Sequence, residues 1–193
     1  MAKRKLFHGT MNASKSGQIL FQTFNFERQG KTFVCFKPET DRQKDKGLIK
    51  SRALDEKRPA FIIKKEWNGL MFDIVENMNP DFVFVDELQF MTPTQVEELA
   101  RISIELGVPV FAYGLLLSYT GEMFDGTKRA IECGFSLQEL KMQCDFCQEK
   151  STHHLLYIDG KVVSNGDKIH VGDTEYKSVC YSCYLREVNK NKK

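Results

Sequence analysis

The chain has 193 residues, 41% hydrophobic and 28% charged, with 28 Lys plus Arg against 26 Asp plus Glu. This is the composition of a globular protein able to bury a core, not of a disordered chain, and a formal net charge of +2 excludes a polyanion binder driven by bulk charge. No run approaches the ~18 apolar residues of a membrane span, since the most apolar stretch, Gly107–Leu117, is interrupted by Pro109 and Gly114.

Lys3-Arg4-Lys5 is followed by no apolar stretch of the kind an export signal needs, so a soluble, cytoplasmic protein is expected. Lys5–His8 is a short strand candidate, and Gly9–Ser16 is a loop of small residues. Ser16–Arg28 carries Ile19, Leu20 and Phe24 at helical spacing and is closed by Gly30. Lys31–Phe36 reads as a buried strand. From Lys37 to Ala60, 13 of 24 residues are charged without a clear period, which predicts a solvated, mobile loop. A strand over Ala60–Ile63 and a helix over Leu70–Met78 follow.

Phe82–Val85 is an unbroken apolar run ending in Asp86-Glu87, the pattern of a strand covered on both faces in a parallel sheet. Thr92-Pro93-Thr94-Gln95 has the Thr cap, the Pro at the first helical position and the Gln of a capping box. The helix it opens ends at Gly107, and Val108–Tyr113 is the next strand. Strands alternating with helices predict an α/β domain with parallel pairing. After about Ser136 the pieces become short and β-rich, with turns at Asp159-Gly160 and Asn165-Gly166. A division follows: residues 1–140 as an α/β domain, residues 141–193 as a small β lobe with a basic tail.

The loop Gly9, Thr10, Met11, Asn12, Ala13, Ser14, Lys15, Ser16 follows a strand and opens a helix, the setting of a phosphate-binding loop. There, backbone amides and the helix N-terminus hold phosphate oxygens, Lys15 reaches the β- and γ-phosphates, and Ser16 ligates Mg²⁺. Ser14 stands where the usual pattern has Gly, a position that favours a backbone conformation costly with a Cβ. An ordinary polar helix N-terminus remains an alternative. Asp86-Glu87 at a buried strand end gives one carboxylate for Mg²⁺ and one to accept a proton from a hydroxyl. Strand ends also carry Asp for no chemical reason.

Cys144-x-x-Cys147 and Cys180-x-x-Cys183, with 32 residues between the pairs, supply four thiolates for a closed, structural Zn²⁺ site. A disulfide pair or a redox C-x-x-C are the alternatives. Cys35 and Cys133 read as small buried residues.

Together the ordered residues resemble a family. GTMNASKS at Gly9–Ser16, Lys37-Pro38 with Asp41-Arg42, Ser51-Arg52, VDELQF at Val85–Phe90, Tyr113-Gly114-Leu115, GEMF at Gly121–Phe124, the first Cys pair and Tyr176–Cys183 look like the zinc-containing, cytosolic (type II) thymidine kinase family, over about residues 5–186. The resemblance implies a RecA-like α/β domain plus a zinc lobe whose lasso loop folds over the nucleoside. It implies transfer of the γ-phosphate of ATP to the 5′-hydroxyl of deoxythymidine with Mg²⁺. By the same resemblance Glu87 is the catalytic base, Asp86 the Mg²⁺-associated acid, and Lys15, Ser16, Gln89 and Arg42 belong to the ATP side. Met11, Phe90, Leu115, Tyr119, Phe124 and Tyr176 match the thymine pocket, and the lasso around Ile169–Val171 would bond the base edge. A homotetramer and feedback inhibition by dTTP are further implications; nucleic acid and membrane are not expected partners.

The sequence departs from the family at Ser14, at Leu116-Leu117-Ser118 and at His153-His154. Three functions follow for test: a deoxythymidine kinase, a nucleotide-binding homologue weakened by Ser14, and a zinc-ribbon nucleic-acid binder. The near-neutral charge and the lack of a basic-aromatic stripe speak against the last.

Overall fold

The computed structural model describes residues 3–39, 47–51, 53–168 and 175–190. Its centre is a six-stranded, wholly parallel sheet. The strands are β1 (Arg4–His8), β2 (Phe33–Pro38), β5 (Phe61–Ile63), β6 (Phe82–Val85), β7 (Val110–Gly114) and β8 (Ser136–Glu139), in spatial order β5-β2-β6-β7-β1-β8. Between them run helices α1 (Lys15–Arg28), α2 (Leu70–Met78), α3 (Pro93–Glu105) and α4 (Asp125–Glu132).

Alternation along the inner strands divides the core. Val34, Phe36, Val83 and Val85 face one cluster with Val96, Leu99 and Ile102 of α3, while Cys35, Phe84 and Tyr113 face a second with Ile19 and Leu20 of α1. Both faces of β6 are therefore buried, as its unbroken apolar run predicts. Burying a side chain such as Phe84 contributes about 2–3 kcal/mol. Aromatic packing fills the second cluster: Phe26 stacks on Phe82 at 4.2 Å and Phe7 on Tyr113 at 4.6 Å.

Sheet register decides where chemistry can occur. Leu6 lies opposite Ala112, Ala112 opposite Val85, and Val85 opposite Phe36. The residues that follow these four leave the sheet along one rim, so the Gly9 loop, Asp86-Glu87, Gly114-Leu115 and Lys37 emerge side by side. Ligands of parallel α/β sheets bind at such carboxyl ends.

Three expectations need correction. The stretch Lys37–Ala60 is not a loop throughout: β3 (Leu48–Ser51) and β4 (Leu54–Pro59) form an antiparallel hairpin. Its few apolar residues fall on one side, where fully buried Ile49 meets Ile19 and Leu20, and Arg58 bonds Thr23 and Glu27 of α1. Charges on both faces, Arg58 and Glu56 beside α1 among them, mask the period; residues 40–46 and 52 lie outside the described residues. Phe24 faces outward, 41% exposed, and Thr23 takes the buried position. Cys133 is half-buried, not buried.

The capping box forms as expected: Gln95 N–H donates to Thr92 Oγ1 and Thr92 N–H to Gln95 Oε1. Unforeseen is buried Glu98, which accepts from Gly69 N–H and Phe72 N–H and so caps α2 from α3.

Beyond β8 stands a three-stranded antiparallel sheet, β10-β9-β11, of β9 (His153–Ile158), β10 (Lys161–Val163) and β11 (Glu175–Val179), followed by α5 (Tyr181–Lys190). Asp159 and Gly160, both at positive φ, turn β9 into β10. Among the described residues no helix is long and apolar enough to cross a membrane.

Candidate active site

The loop between β1 and α1 is tight and strained. A Cβ on Gly9 would stand 2.5 Å from the Leu140 carbonyl oxygen and 2.9 Å from Ala13 Cβ, so no larger residue fits. Asn12 (φ 66°) and Ser14 (φ 56°) are left-handed. That conformation at Ser14 is the one the missing glycine would adopt freely; with a Cβ it costs on the order of 1 kcal/mol. Alternating left-handed residues turn successive amides inward, an anion-binding concavity at the start of a helix. Lys15 Nζ donates to the loop's own carbonyls, Thr10 at 2.7 Å and Gly9 at 3.2 Å. Burial lowers the Lys15 pKa, opposed by the charges of Glu87 and Asp86.

Opposite the loop, Ser16 Oγ donates to both Asp86 oxygens, at 3.2 and 3.3 Å. Burial first, and the neighbouring charge of Glu87 second, push the Asp86 carboxyl up to about 7; Lys37, the Ser16 hydroxyl and Lys15 act in the other direction. Glu87 follows at φ 56°, in a turn that leaves the sheet. Gln89 Nε2 donates to Glu87 Oε2, and Gln89 Oε1 accepts from Leu115 N–H at 3.0 Å. A Cβ on Gly114 would come within 2.7 Å of that Gln89 oxygen. Gln89 thus ties the acid turn to the loop after β7.

These residues share one cleft of about 500 Å³. Asn12, Ser14, Lys15, Ser16, Asp86 and Glu87 line its polar end; Met11, Phe90, Leu115, Tyr119, Phe124 and Tyr176 line the apolar end. Phe90 and Phe124 meet edge to face at 5.7 Å. Gly9, Thr10 and Ala13 shape the loop without lining the cleft. Arg42, Ile169 and Val171 lie outside the described residues. Lining residues to which the sequence reading gave no site role include Lys50 and Lys168, and also Lys37, Ser51, Leu117 and His154, which it named only within longer stretches. Lys37 carried a local signal as well, as a charge at the end of an apolar strand. Lys50 and Ser51 come from the hairpin read as loop.

The second sheet reaches the same cleft. Met11 N–H donates to His154 Nε2 at 2.9 Å, and Ser178 Oγ donates to the Met11 carbonyl at 2.9 Å. Thr10 Oγ1 and Ser151 Oγ are 2.7 Å apart. Tyr184 of α5 donates to the Tyr119 carbonyl at 3.1 Å, and Lys168 Nζ to the Met123 carbonyl and Asp125. Burial, then the charge of Lys15, lower the His154 pKa to about 4.

Cys144, Cys147, Cys180 and Cys183 bring their sulfurs within 4.8 Å of one another, and all are unbridged. Cys147 Sγ lies 3.7 Å from Cys180 Sγ and 3.8 Å from Cys183 Sγ. A tetrahedron with Zn–S of about 2.3 Å has edges of about 3.8 Å. Phe146 N–H, Cys183 N–H and Arg186 donate to the sulfurs, as thiolates require. The cluster can hold a metal such as zinc, and neither His153 nor His154 belongs to it.

Comparison with known proteins agrees with this geometry. The thymidine kinase family model matches residues 2–184. The thymidine kinase of Enterococcus faecalis is 37% identical over 188 residues, covering 96% of this chain and 95% of its own. That of Streptococcus thermophilus is 36% identical over 183 residues (93% and 92%), and that of Lactococcus lactis 34% over 189 (96% and 98%). Among solved structures, a Bacteroides Pif1 bound to single-stranded DNA aligns at a TM-score of 0.38 and 12% identity, over 72% of this chain and 38% of that one, a likeness too weak to carry an argument. With a family match along almost its whole length and relatives above 30% identity, the chain belongs to the thymidine kinase family, whose reaction is the phosphorylation of thymidine.

Proposed function

We propose that the chain transfers the γ-phosphate of ATP to the 5′-hydroxyl of deoxythymidine, giving dTMP and ADP. The observation that carries this reading is the meeting of Glu87 with the phosphate loop and an aromatic-walled pocket in a single cleft. The base lies among Met11, Phe90, Leu115, Tyr119, Phe124 and Tyr176, as a flat heterocycle requires. Residues around Ile169 and Val171 bond its edge. Glu87, oriented by Gln89, accepts the 5′-hydroxyl proton as the new O–P bond forms and the bond from the γ-phosphorus to the bridging oxygen breaks. Lys15 leaves the Thr10 carbonyl for the phosphate oxygens, beside the amides of residues 14–16, and Arg42 would act on the transferred group.

Mg²⁺ would be held by Ser16 and Asp86, which already face each other, and when bound it neutralises phosphate charge. Zn²⁺ fits the four thiolates. In this reading residues 1–140 are the nucleotide-binding domain and 141–193 the lasso domain. The enzyme works in the cytoplasm as a homotetramer, restrained by dTTP. The left-handed Ser14 supports a second reading, a homologue with weakened catalysis.

The test is a panel of pyrimidine deoxynucleosides with ATP and Mg²⁺, with zinc measured on the same sample. Deoxythymidine should be turned over fastest and zinc should be stoichiometric. No turnover of any member overturns the reading; slow turnover that Ser14→Gly raises severalfold supports the second.

A further inference from the structure

We propose that His154 and Ser178 are positioning residues that grip the phosphate loop by both polar groups of the Met11 backbone, so that the thiolate lobe sets the loop's place relative to the nucleoside pocket. The kinetic part of this proposal rests on the kinase reading; the structural part does not.

Met11 belongs to the first turn of the loop, and it also lines the pocket. Its N–H goes to His154 Nε2 and its carbonyl receives Ser178 Oγ, both at 2.9 Å. His154 and Ser178 are cross-strand partners on β9 and β11, so their side chains leave the sheet on the same face. Both are buried, at 3% and 2% exposure. The grip continues into the metal site: Ser178 N–H donates to Asp145 Oδ2 and Asp145 N–H to the Ser178 carbonyl, each at 2.8 Å, and Asp145 lies between Cys144 and Phe146.

An imidazole suits this place. With Nε2 accepting, the ring is neutral and its proton sits on Nδ1. The same ring also feels the Leu117 backbone. One ring therefore connects the phosphate loop, the second sheet and the loop after β7. Burial first and the charge of Lys15 second oppose its protonation and keep the acceptor available, while the Leu117 backbone acts in the other direction.

The grip has work to do. Asn12 and Ser14 hold conformations that persist only when their surroundings fix them. The Met11 amide is not needed for phosphate, since the amides of residues 14–16 remain. A misplacement of about 1 Å between phosphate and hydroxyl costs on the order of 100-fold in rate.

The experiment uses the full chain with metal content verified. Hydrogen exchange of the peptide covering residues 9–16 is measured together with steady-state kinetics for His154→Phe, which keeps a ring without an acceptor, His154→Gln, which restores an acceptor, and Ser178→Ala. His154→Phe and Ser178→Ala should speed exchange in the loop and lower kcat about tenfold, while KM for deoxythymidine moves less than about threefold. His154→Gln should recover most of both, and zinc should stay stoichiometric throughout. Unchanged exchange, unchanged kcat, or a His154→Gln variant as impaired as His154→Phe overturns the proposal. Should His154→Phe not fold, Ser178→Ala decides by the same two readouts. A wild-type protein without turnover defeats the kinase reading, while loop exchange still decides whether the grip exists.

Discussion

The loop at Gly9–Ser16 and the knuckles at Cys144–Cys147 and Cys180–Cys183 are both short motifs, but their order comes from different sources. Behind the loop stand β1 and β7, with fully buried Leu6, Ala112 and Tyr113, so it can carry two left-handed side-chain-bearing residues at a cost the core offsets. Behind the knuckles is a small cluster, Leu155, Val179, Tyr184 and Val188 with three of the cysteines, too little to hold three strands and a helix in place. There the sulfurs themselves form the centre. The comparison teaches that the better-supported region still depends on the weaker one: Met11 is fixed from β9 and β11, not from the sheet that precedes it.

The largest expected effect breaks the weaker side. Removing metal with a chelator should unfold the lobe, since thiolate–zinc sites contribute on the order of 10 kcal/mol to folding. Near-ultraviolet circular dichroism and thymidine binding should both be lost and should return on adding zinc. Retention of thymidine affinity in metal-free protein would separate the two regions.

Next comes the acid turn. Glu87→Gln should lower kcat by about 10²–10⁴ and leave thymidine binding within about threefold, because only proton acceptance is removed. Calorimetry and single-turnover assays check both halves, and a near-normal rate moves the base elsewhere.

Asp86 gives a pH-dependent effect. Its folded pKa, about 7, exceeds the ordinary value of about 3.9. The folded state then binds more protons than the unfolded state across that interval, and stability falls as pH rises through it. In Mg²⁺-free buffer Asp86→Asn should be more stable than wild type at pH 8, by on the order of 3 kcal/mol, and the difference should vanish near pH 4. Urea titrations at several pH values measure this. His154 works in the opposite sense between about 4 and its ordinary value, which is why the variant, not the wild type alone, must be followed.

The smallest effect sharpens the loop. Ser14→Gly relieves a left-handed Cβ but frees the unfolded chain, so the net gain should be about 0.5 kcal/mol. The thermal midpoint reads this, and kcat/KM for ATP should rise at most severalfold.

The sequence by itself determined the local pieces whose signals are local. The unbroken run Phe82–Val85, the Thr92–Gln95 capping box, the Asp159-Gly160 turn and the paired cysteines each follow from residues within a few positions of one another, and each stands where its pattern places it. The same holds for the position of the Gly9–Ser16 loop before α1 and of Asp86-Glu87 after β6, because their spacing is fixed within one strand–loop unit. Only the tertiary structure decided that the charged stretch around Ile49 folds back as a hairpin on α1, that Glu98 caps a helix other than its own, and that His154 and Ser178 hold Met11. Those contacts join residues tens to more than a hundred positions apart, where a polar side chain looks the same in sequence whether water or a backbone amide completes its hydrogen bond. Burial makes the distinction, and burial is a property of the packed chain.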